Sequence, residues 1–305
     1  MEQTVFRGGT EGLTVEQVVR DYDYSMAARH FHDTYELYYL LEGQRYYFID
    51  RQTYLVKAGD VVFIKPNQIH KTSTAGNPCH NRILFQISGK LMDPFLRGCG
   101  METMDEVYGE DALIVSVPER GRREIDGLMA QIQRELGDRP KQYLTGVKLK
   151  LASLFLALSR YEKKSCFQKE TQTAQTWKHQ KVYEVADYLL RHPCSQESLE
   201  ELAKRFFVSR SYLSRIFREV TGFSVNEYKN VNRIKKSQQL LARSDYSVTE
   251  ISELTGFENL TYYERVFKKY VGMTPLKYRK AGCSRPETQE SSPGWSGSTG
   301  EESRR

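Results

Sequence analysis

The chain has 305 residues, of which 39% are hydrophobic and 28% charged, and it carries a formal net charge of +6. That length is enough for two domains with separate cores, and the longest apolar stretch, near Leu151 to Leu158, is too short to span a bilayer as a helix, so a transmembrane helix is excluded. The five cysteines are odd in number and form no C-x-x-C, and no secretory leader is read at the start, so a reduced cytoplasm is expected rather than secretion.

Taken in chain order, the first half reads as short β runs: Glu36 to Glu42, Gln44 to Asp50, Thr53 to Val56 and Val61 to Lys65, with Gly43 and Gly59 at turns. Several short strands at this spacing predict a sandwich or barrel. Within them stands His30-x-His32-x3-Glu36-x6-Gly43, followed by Gly59-x6-Pro66-x3-His70. His30, His32 and Glu36 share strand parity, so all three are expected on one face.

These spacings resemble the two motifs of the cupin barrel. In metal-binding cupins the three histidines and the glutamate hold a divalent metal, which here implies His30, His32, Glu36 and His70. This sequence departs from that pattern: the second motif is one residue short, Asn67 and Gln68 stand where a glycine is usual, and no asparagine follows His70 at the expected distance. The expectation is therefore no metal and no cofactor, but a pocket for a small-molecule effector shaped by His30, His32, Glu36, Tyr38, Tyr46 and His70. A metal on the same residues, and a merely packed histidine cluster, are the alternatives.

Farther along, Ile125, Leu128, Met129, Ile132 and Leu136 form one helical stripe, and Leu144, Val147, Leu151, Leu154, Leu158 and Tyr161 recur three and four apart. The second stripe is a short heptad pattern that suits either a homodimer seam or a cover for the β domain. Residues 163–176 are polar and aperiodic, as a hinge would be. From Ser284 onward Gly, Ser, Pro and Glu dominate, and a disordered tail is expected.

The region between carries one cassette twice. Ser198-Leu-Glu-Glu201, Ser209, Arg215-Ile-Phe217-Arg218 and Gly222 recur as Ser247-Val-Thr-Glu250, Asn259, Arg265-Val-Phe267-Lys268 and Gly272. The offset is 49 residues at the first serine and 50 from the middle onward, so one extra residue sits in the second copy's turn. Ser-x-x-Glu is a capping box, and helices are predicted to start at Ser198 and Ser247. Leu213, Ile216, Phe217 and Val220 give the following helix its apolar face, as do Tyr262, Tyr263, Val266, Phe267 and Tyr270 in the second copy. Gly222 and Gly272 close these helices. Val225, Tyr228, Val231, Ile234, Ser237 and Leu241 predict one long helix between the copies. Residues 177–283 hold 19 Lys and Arg against 12 Asp and Glu, whereas residues 1–176 hold 23 of each. A basic, duplicated helical region behind a neutral partner is the signature of a polyanion-binding domain.

The second copy, with Gly256-Phe257, Thr261-Tyr262-Tyr263, Arg265-Val-Phe267-Lys-Lys, Gly272-Met-Thr-Pro275 and Tyr278-Arg279, resembles the signature of AraC-type transcription regulators, and the first copy fits too. Such regulators commonly carry a cupin-like barrel in front. The resemblance implies a multidomain chain: an N-terminal all-β cupin-like barrel (1–120), a middle helical pair for dimerisation (121–162), a linker (163–176), an all-α domain of two helix-turn-helix subdomains joined by a long helix (177–283), and a disordered tail (284–305). It also implies two recognition helices that enter successive major grooves of promoter DNA. Base or phosphate contacts are expected from Arg210, Ser211, Ser214, Arg215 and Arg218, and from Leu260, Thr261, Glu264, Arg265 and Lys268, although Arg215 and Arg265 have Glu219 and Glu264 nearby as alternative partners.

Three residues depart from the family: Ser237 and Ser252 where alanine is usual, and Phe207 where a smaller turn residue is common. The reading is a cytoplasmic transcription activator and not an enzyme, a homodimer that works with RNA polymerase and answers to an effector, a sugar being one candidate. A metal-dependent cupin enzyme fused to a DNA-binding domain, and a regulator whose front domain only dimerises, are the competing readings.

Overall fold

The computed structural model describes residues 1–25, 34–108, 113–161 and 177–282. It separates into two compact units, Met1–Lys235 and Lys236–Arg305. Among the described residues of the first unit, nine strands make two antiparallel sheets. The larger contains β1 (Glu2–Thr10), β2 (Leu13–Arg20), β8 (His80–Ile87), β3 (Tyr35–Glu42), β6 (Asp60–Ile64) and β9 (Leu113–Ser116), in that spatial order. The smaller contains β5 (Gln52–Lys57), β4 (Gln44–Ile49) and β7 (His70–Thr74). No strand is shared between them, so the expected barrel is an open sandwich. The reason lies at the turn after β3: Gly43 has φ +88°, and a Cβ there would stand 2.3 Å from the Cys79 carbonyl oxygen. The chain turns sharply enough that β4 leaves β3 and pairs instead with β5 and β7.

Strand alternation divides the larger sheet's side chains between two cores. One face carries Leu13, Val15, Leu37, Tyr39, Val61, Phe63, Ile83 and Phe85, and packs against helices α3 (Glu119–Asp138) and α4 (Tyr143–Ser159). The helices α1 (Gly89–Gly98) and α2 (Met104–Tyr108) add Met92, Leu96 and Met104 to this core. Ile125, Met129, Ile132 and Leu136 of α3 and Val147, Leu151, Leu154 and Leu158 of α4 are all buried here. The heptad stripe of α4 is thus spent on its own chain's core. The other face carries Tyr38, Leu40, Val62 and Ile64, which meet Tyr47, Ile49 and Val56 of the smaller sheet.

Helix α5 (Trp177–Arg191), which the sequence reading did not single out, opens the rear region; Val182, Val185, Ala186 and Leu189 are its buried stripe. Then come α6 (Leu199–Arg205), α7 (Arg210–Thr221) and the long α8 (Val225–Arg243), within which the division between units falls. The second unit holds α9 (Val248–Leu254), α10 (Leu260–Val271) and α11 (Pro275–Gly282). Both capping boxes form: the serine hydroxyl accepts from the glutamate backbone N–H while the glutamate carboxylate accepts from the serine N–H, at Ser198/Glu201 and at Ser247/Glu250. Ser209 and Asn259 cap α7 and α10, and Gly222 and Gly272 end them at φ +82° and +80°. No helix among the described residues is long and apolar enough to cross a membrane.

Candidate functional site

Each helix-turn-helix presents a polar face built by simple periodicity. Residues 210, 211, 214, 215 and 218 lie along one side of α7, opposite the buried Leu213, Ile216, Phe217 and Val220. Arg210, Ser211, Ser214, Arg215 and Arg218 are all exposed. On α10, Thr261, Glu264, Arg265 and Lys268 are exposed and Leu260 is half-buried, with Tyr263, Val266 and Phe267 turned inward. Glu219, the alternative partner named for Arg215, bonds instead to the Lys178 ammonium. Among the described residues neither Arg215 nor Arg265 is in an ion pair. Each guanidinium lies 5.2 Å from the ring of the tyrosine one turn earlier, Tyr212 or Tyr262, so the duplication extends to side-chain geometry.

The turns differ between the copies. Phe207 and Gly256 are equivalent: the amide of each closes the preceding helix on the residue three back, and both have positive φ, +55° and +81°. Phe207 is 93% exposed, so its side chain takes no part in the core. Of the two serines that replace alanine, Ser237 shares a hydrogen bond with the Tyr263 hydroxyl, whereas the buried Ser252 hydroxyl has no partner among the described residues.

In the front domain, the sandwich interior brings some of the expected effector residues together. The buried Glu36 carboxylate accepts from the Tyr47 hydroxyl at 2.7 Å, and its other oxygen lies 3.5 Å from His70 Nε2. His70 Nδ1 faces the Gln68 carbonyl at 2.9 Å, which fixes the ring. Tyr38 packs edge-on against Tyr47 with centroids 5.2 Å apart, and burial pushes its hydroxyl up to about 12. Burial, and then the Glu36 charge, hold the Tyr47 hydroxyl well above the ordinary tyrosine range. Tyr46 does not join them. It has the opposite parity on β4 and packs at a tilt against His179 of α5, with ring centroids 4.7 Å apart and planes at 54°. His30 and His32 lie outside the described residues. Tyr47 is the residue the sequence reading missed. Each face of β4 carries one polar residue and two aromatic or apolar ones, Arg45, Tyr47 and Ile49 against Gln44, Tyr46 and Phe48, so alternation alone could not say which tyrosine points inward.

The smaller sheet also meets the first helix-turn-helix. At the β4–β5 turn, Arg51 pairs with Asp187 of α5 at 2.9 Å. The Asp50 carboxylate accepts from Lys235 at 2.9 Å, and its backbone carbonyl accepts from the Tyr228 hydroxyl. On β7, the Lys71 ammonium donates to the Glu219 carbonyl at 2.6 Å, near the end of α7. These contacts connect the sheet that carries Tyr47 and His70 to the helix that carries Arg215.

Two exposed basic helix faces behind a sandwich with a polar interior define a DNA-binding regulator with a ligand-binding front domain. Sequence models agree over most of the chain: one of the AraC-like ligand binding domain matches residues 17–157, and one of a helix-turn-helix domain matches residues 202–281. The chain belongs to the AraC family of transcription regulators. Among curated relatives it is similar to the HTH-type transcriptional activator RhaS of Escherichia coli (strain SE11), with 22% identity over 275 residues, 90% of this chain and 94% of that protein. Among solved structures it is similar to the DNA-binding domain of AdpA in complex with a target DNA, with 35% identity, 32% of this chain, 88% of that chain and a TM-score of 0.31. It is also similar to unsaturated fatty acid bound ToxT from Vibrio cholerae strain SCE256, with 15% identity, 90% of this chain, 96% of that chain and a TM-score of 0.36.

Proposed function

We propose that this protein is a transcription activator that reads promoter DNA with α7 and α10 and is controlled by an effector held between its two sheets. The observation that carries this reading is the duplicated exposed face, an arginine beside a tyrosine one turn back on each of two capped helices. Arg215 and Arg265 fork onto guanine edges, while Arg210, Ser211, Ser214, Arg218, Thr261 and Lys268 serve phosphates and neighbouring bases. The two helices take successive major grooves, about 34 Å apart along the duplex.

The effector lies against Glu36, Tyr38, Tyr47 and His70, and the smaller sheet passes its presence to the first helix-turn-helix through Asp50, Arg51 and Lys71. An effector acts this way only by binding one arrangement of sheet and helices more tightly than the other. Residues 1–120 and 177–283 are the sensing and reading domains. Leu149 and Leu156, exposed on the outer face of α4, support a homodimer through that face. Activation through RNA polymerase in the cytoplasm, with the front domain as sensor and not catalyst, completes the reading. The test is selection from a random duplex pool by the full chain. A single enriched motif, bound against excess nonspecific DNA, is expected; no enrichment over the starting pool would refute it.

A further inference from the structure

Beside the Glu36 cluster, three buried arginines lie on the facing sides of the two sheets. Arg20 of β2 and Arg82 of β8 lie on the face that the larger sheet turns toward the smaller, and the register sets Arg20 across from His80 and Arg82 across from Val18 and Leu40. Arg45 of β4 points inward from the smaller sheet and is 1% exposed. Its Nη1 donates to the Thr74 hydroxyl at 3.1 Å and its Nη2 to the Tyr24 carbonyl, but its buried Nε has no acceptor among the described residues. Arg82, 9% exposed, gives Nη2 to Glu16 at 2.7 Å; its buried Nη1 also has no acceptor among the described residues. Arg20 is satisfied by Glu2 at 2.8 Å and covers the Tyr24 ring at 3.9 Å, the same Tyr24 whose carbonyl holds Arg45.

Few carboxylates partner these arginines. Glu16 is divided between Arg82 and Arg7, and Asp23 is engaged by the Thr74 hydroxyl and makes no ion pair with Arg45. Among the described residues Arg45 is in no ion pair, and Asp23 acts on it only through space. A buried guanidinium with an unused N–H is costly unless something supplies the missing acceptor. The three cations share one neighbourhood: burial first, and then Arg45, Arg20 and Arg82, lower the His80 imidazole to about 4, leaving it neutral, while the Tyr38 hydroxyl feels Arg82, Arg45 and Glu36 together.

We propose that the cleft binds an acidic, hydroxyl-bearing small molecule, whose carboxylate or phosphate accepts from Arg45 Nε and Arg82 Nη1 while its hydroxyls face Tyr38, Tyr47 and Glu36. This rests on the effector reading above and deepens it. A forked guanidinium matches a planar or tetrahedral oxyanion, and the Glu36 carboxylate accepts hydroxyls and repels a second anion, which sets the ligand's direction.

The experiment is calorimetric titration of the full chain with glucuronate, glucose 6-phosphate, glucose, acetate and inorganic phosphate at constant ionic strength. It is repeated on Arg45→Lys and Arg82→Lys, which keep the charge but lose the fork, and on Arg45→Met. Saturable binding of at least one acidic sugar is expected, tenfold or more tighter than glucose and tenfold or more weaker in the lysine variants. The two acid arms tell carboxylate from phosphate, and acetate and inorganic phosphate report the anion subsite without the hydroxyls. Glucose binding as well as the acids, unchanged in all three variants, would overturn the acidic class and leave the effector reading standing. No saturable binding by any of the four anions would overturn the anion site, and the effector reading would then stand or fall on the response of a promoter reporter to neutral compounds.

Discussion

Arg215→Ala and Arg265→Ala probe the reading heads most sharply, because the structure separates their folding role from their binding role. Each guanidinium is exposed and outside any ion pair among the described residues, and its nearest aromatic partner is a tyrosine ring 5.2 Å away. An exposed cation–π contact contributes about 0.5 to 1 kcal/mol, so truncation is expected to change stability by no more than that. A bidentate contact to guanine discriminates by about 1 to 3 kcal/mol, which is roughly 5- to 150-fold in affinity for the selected duplex. A phosphate contact weakens selected and scrambled duplexes alike. Binding of each variant to both duplexes, by fluorescence anisotropy at two salt concentrations, therefore distinguishes the roles. The expected result is a loss confined to the selected duplex, with the double variant losing about the sum of the two free energies if the heads read separate half-sites. An equal loss on both duplexes would refute base reading and reduce the two arginines to phosphate clamps.

Phe207→Gly is expected to stabilise the protein by about 0.5 to 1 kcal/mol in denaturant unfolding, since Phe207 occupies a left-handed φ of +55° with its side chain 93% exposed and the second copy has Gly256 there; a destabilised variant would show that the ring packs in some way this geometry lacks. The two anomalous serines are expected to behave oppositely. Ser252→Ala removes a buried hydroxyl without a partner and gains about 1 kcal/mol, whereas Ser237→Ala strands the Tyr263 hydroxyl and costs about 1 to 3 kcal/mol; the same sign for both would contradict the hydrogen-bond assignment. His179, lowered to about 4 chiefly by burial against Tyr46, is neutral in the fold. Unfolded chains bind its proton already near 6.5, so stability falls as pH drops from about 6.5 to 4 and is flat, as far as this group goes, above. His179→Phe is expected to reduce the slope of that segment of a melting-temperature profile, His80, also lowered to about 4, keeping its own share; an unchanged slope would assign the effect elsewhere.

The rear region was largely legible in the sequence because its signals are local. A capping box, a helical apolar stripe and a terminal glycine each fix a boundary within a few residues, and duplication repeats the statement at Ser247, Asn259 and Gly272. Helix α5 escaped notice because it belongs to neither copy and its stripe of Val182, Val185, Ala186 and Leu189 is short. In the front domain the strands from β3 to β6 were legible, but sheet membership was not. Whether β4 pairs with β3 or leaves it depends on a turn at Gly43 and on the distant β7, which no local pattern encodes. The same non-locality hid Arg20, Arg45 and Arg82. Each reads as an ordinary strand arginine until the register of β2, β4 and β8 places them around one cleft. The α4 heptad was read correctly as apolar, but periodicity cannot say whether a stripe meets a partner chain or its own sheet, and here it meets the sheet.

Methylation interference on the selected duplex tests the central claim most directly, because it reports which guanine N7 positions must be free for the full chain to bind. Two clusters of interfering guanines on one side of the duplex, about ten base pairs apart, are expected, with Arg215→Ala erasing one cluster and Arg265→Ala the other. A single cluster, or two clusters that neither variant alters, would contradict an account in which α7 and α10 are the two reading heads.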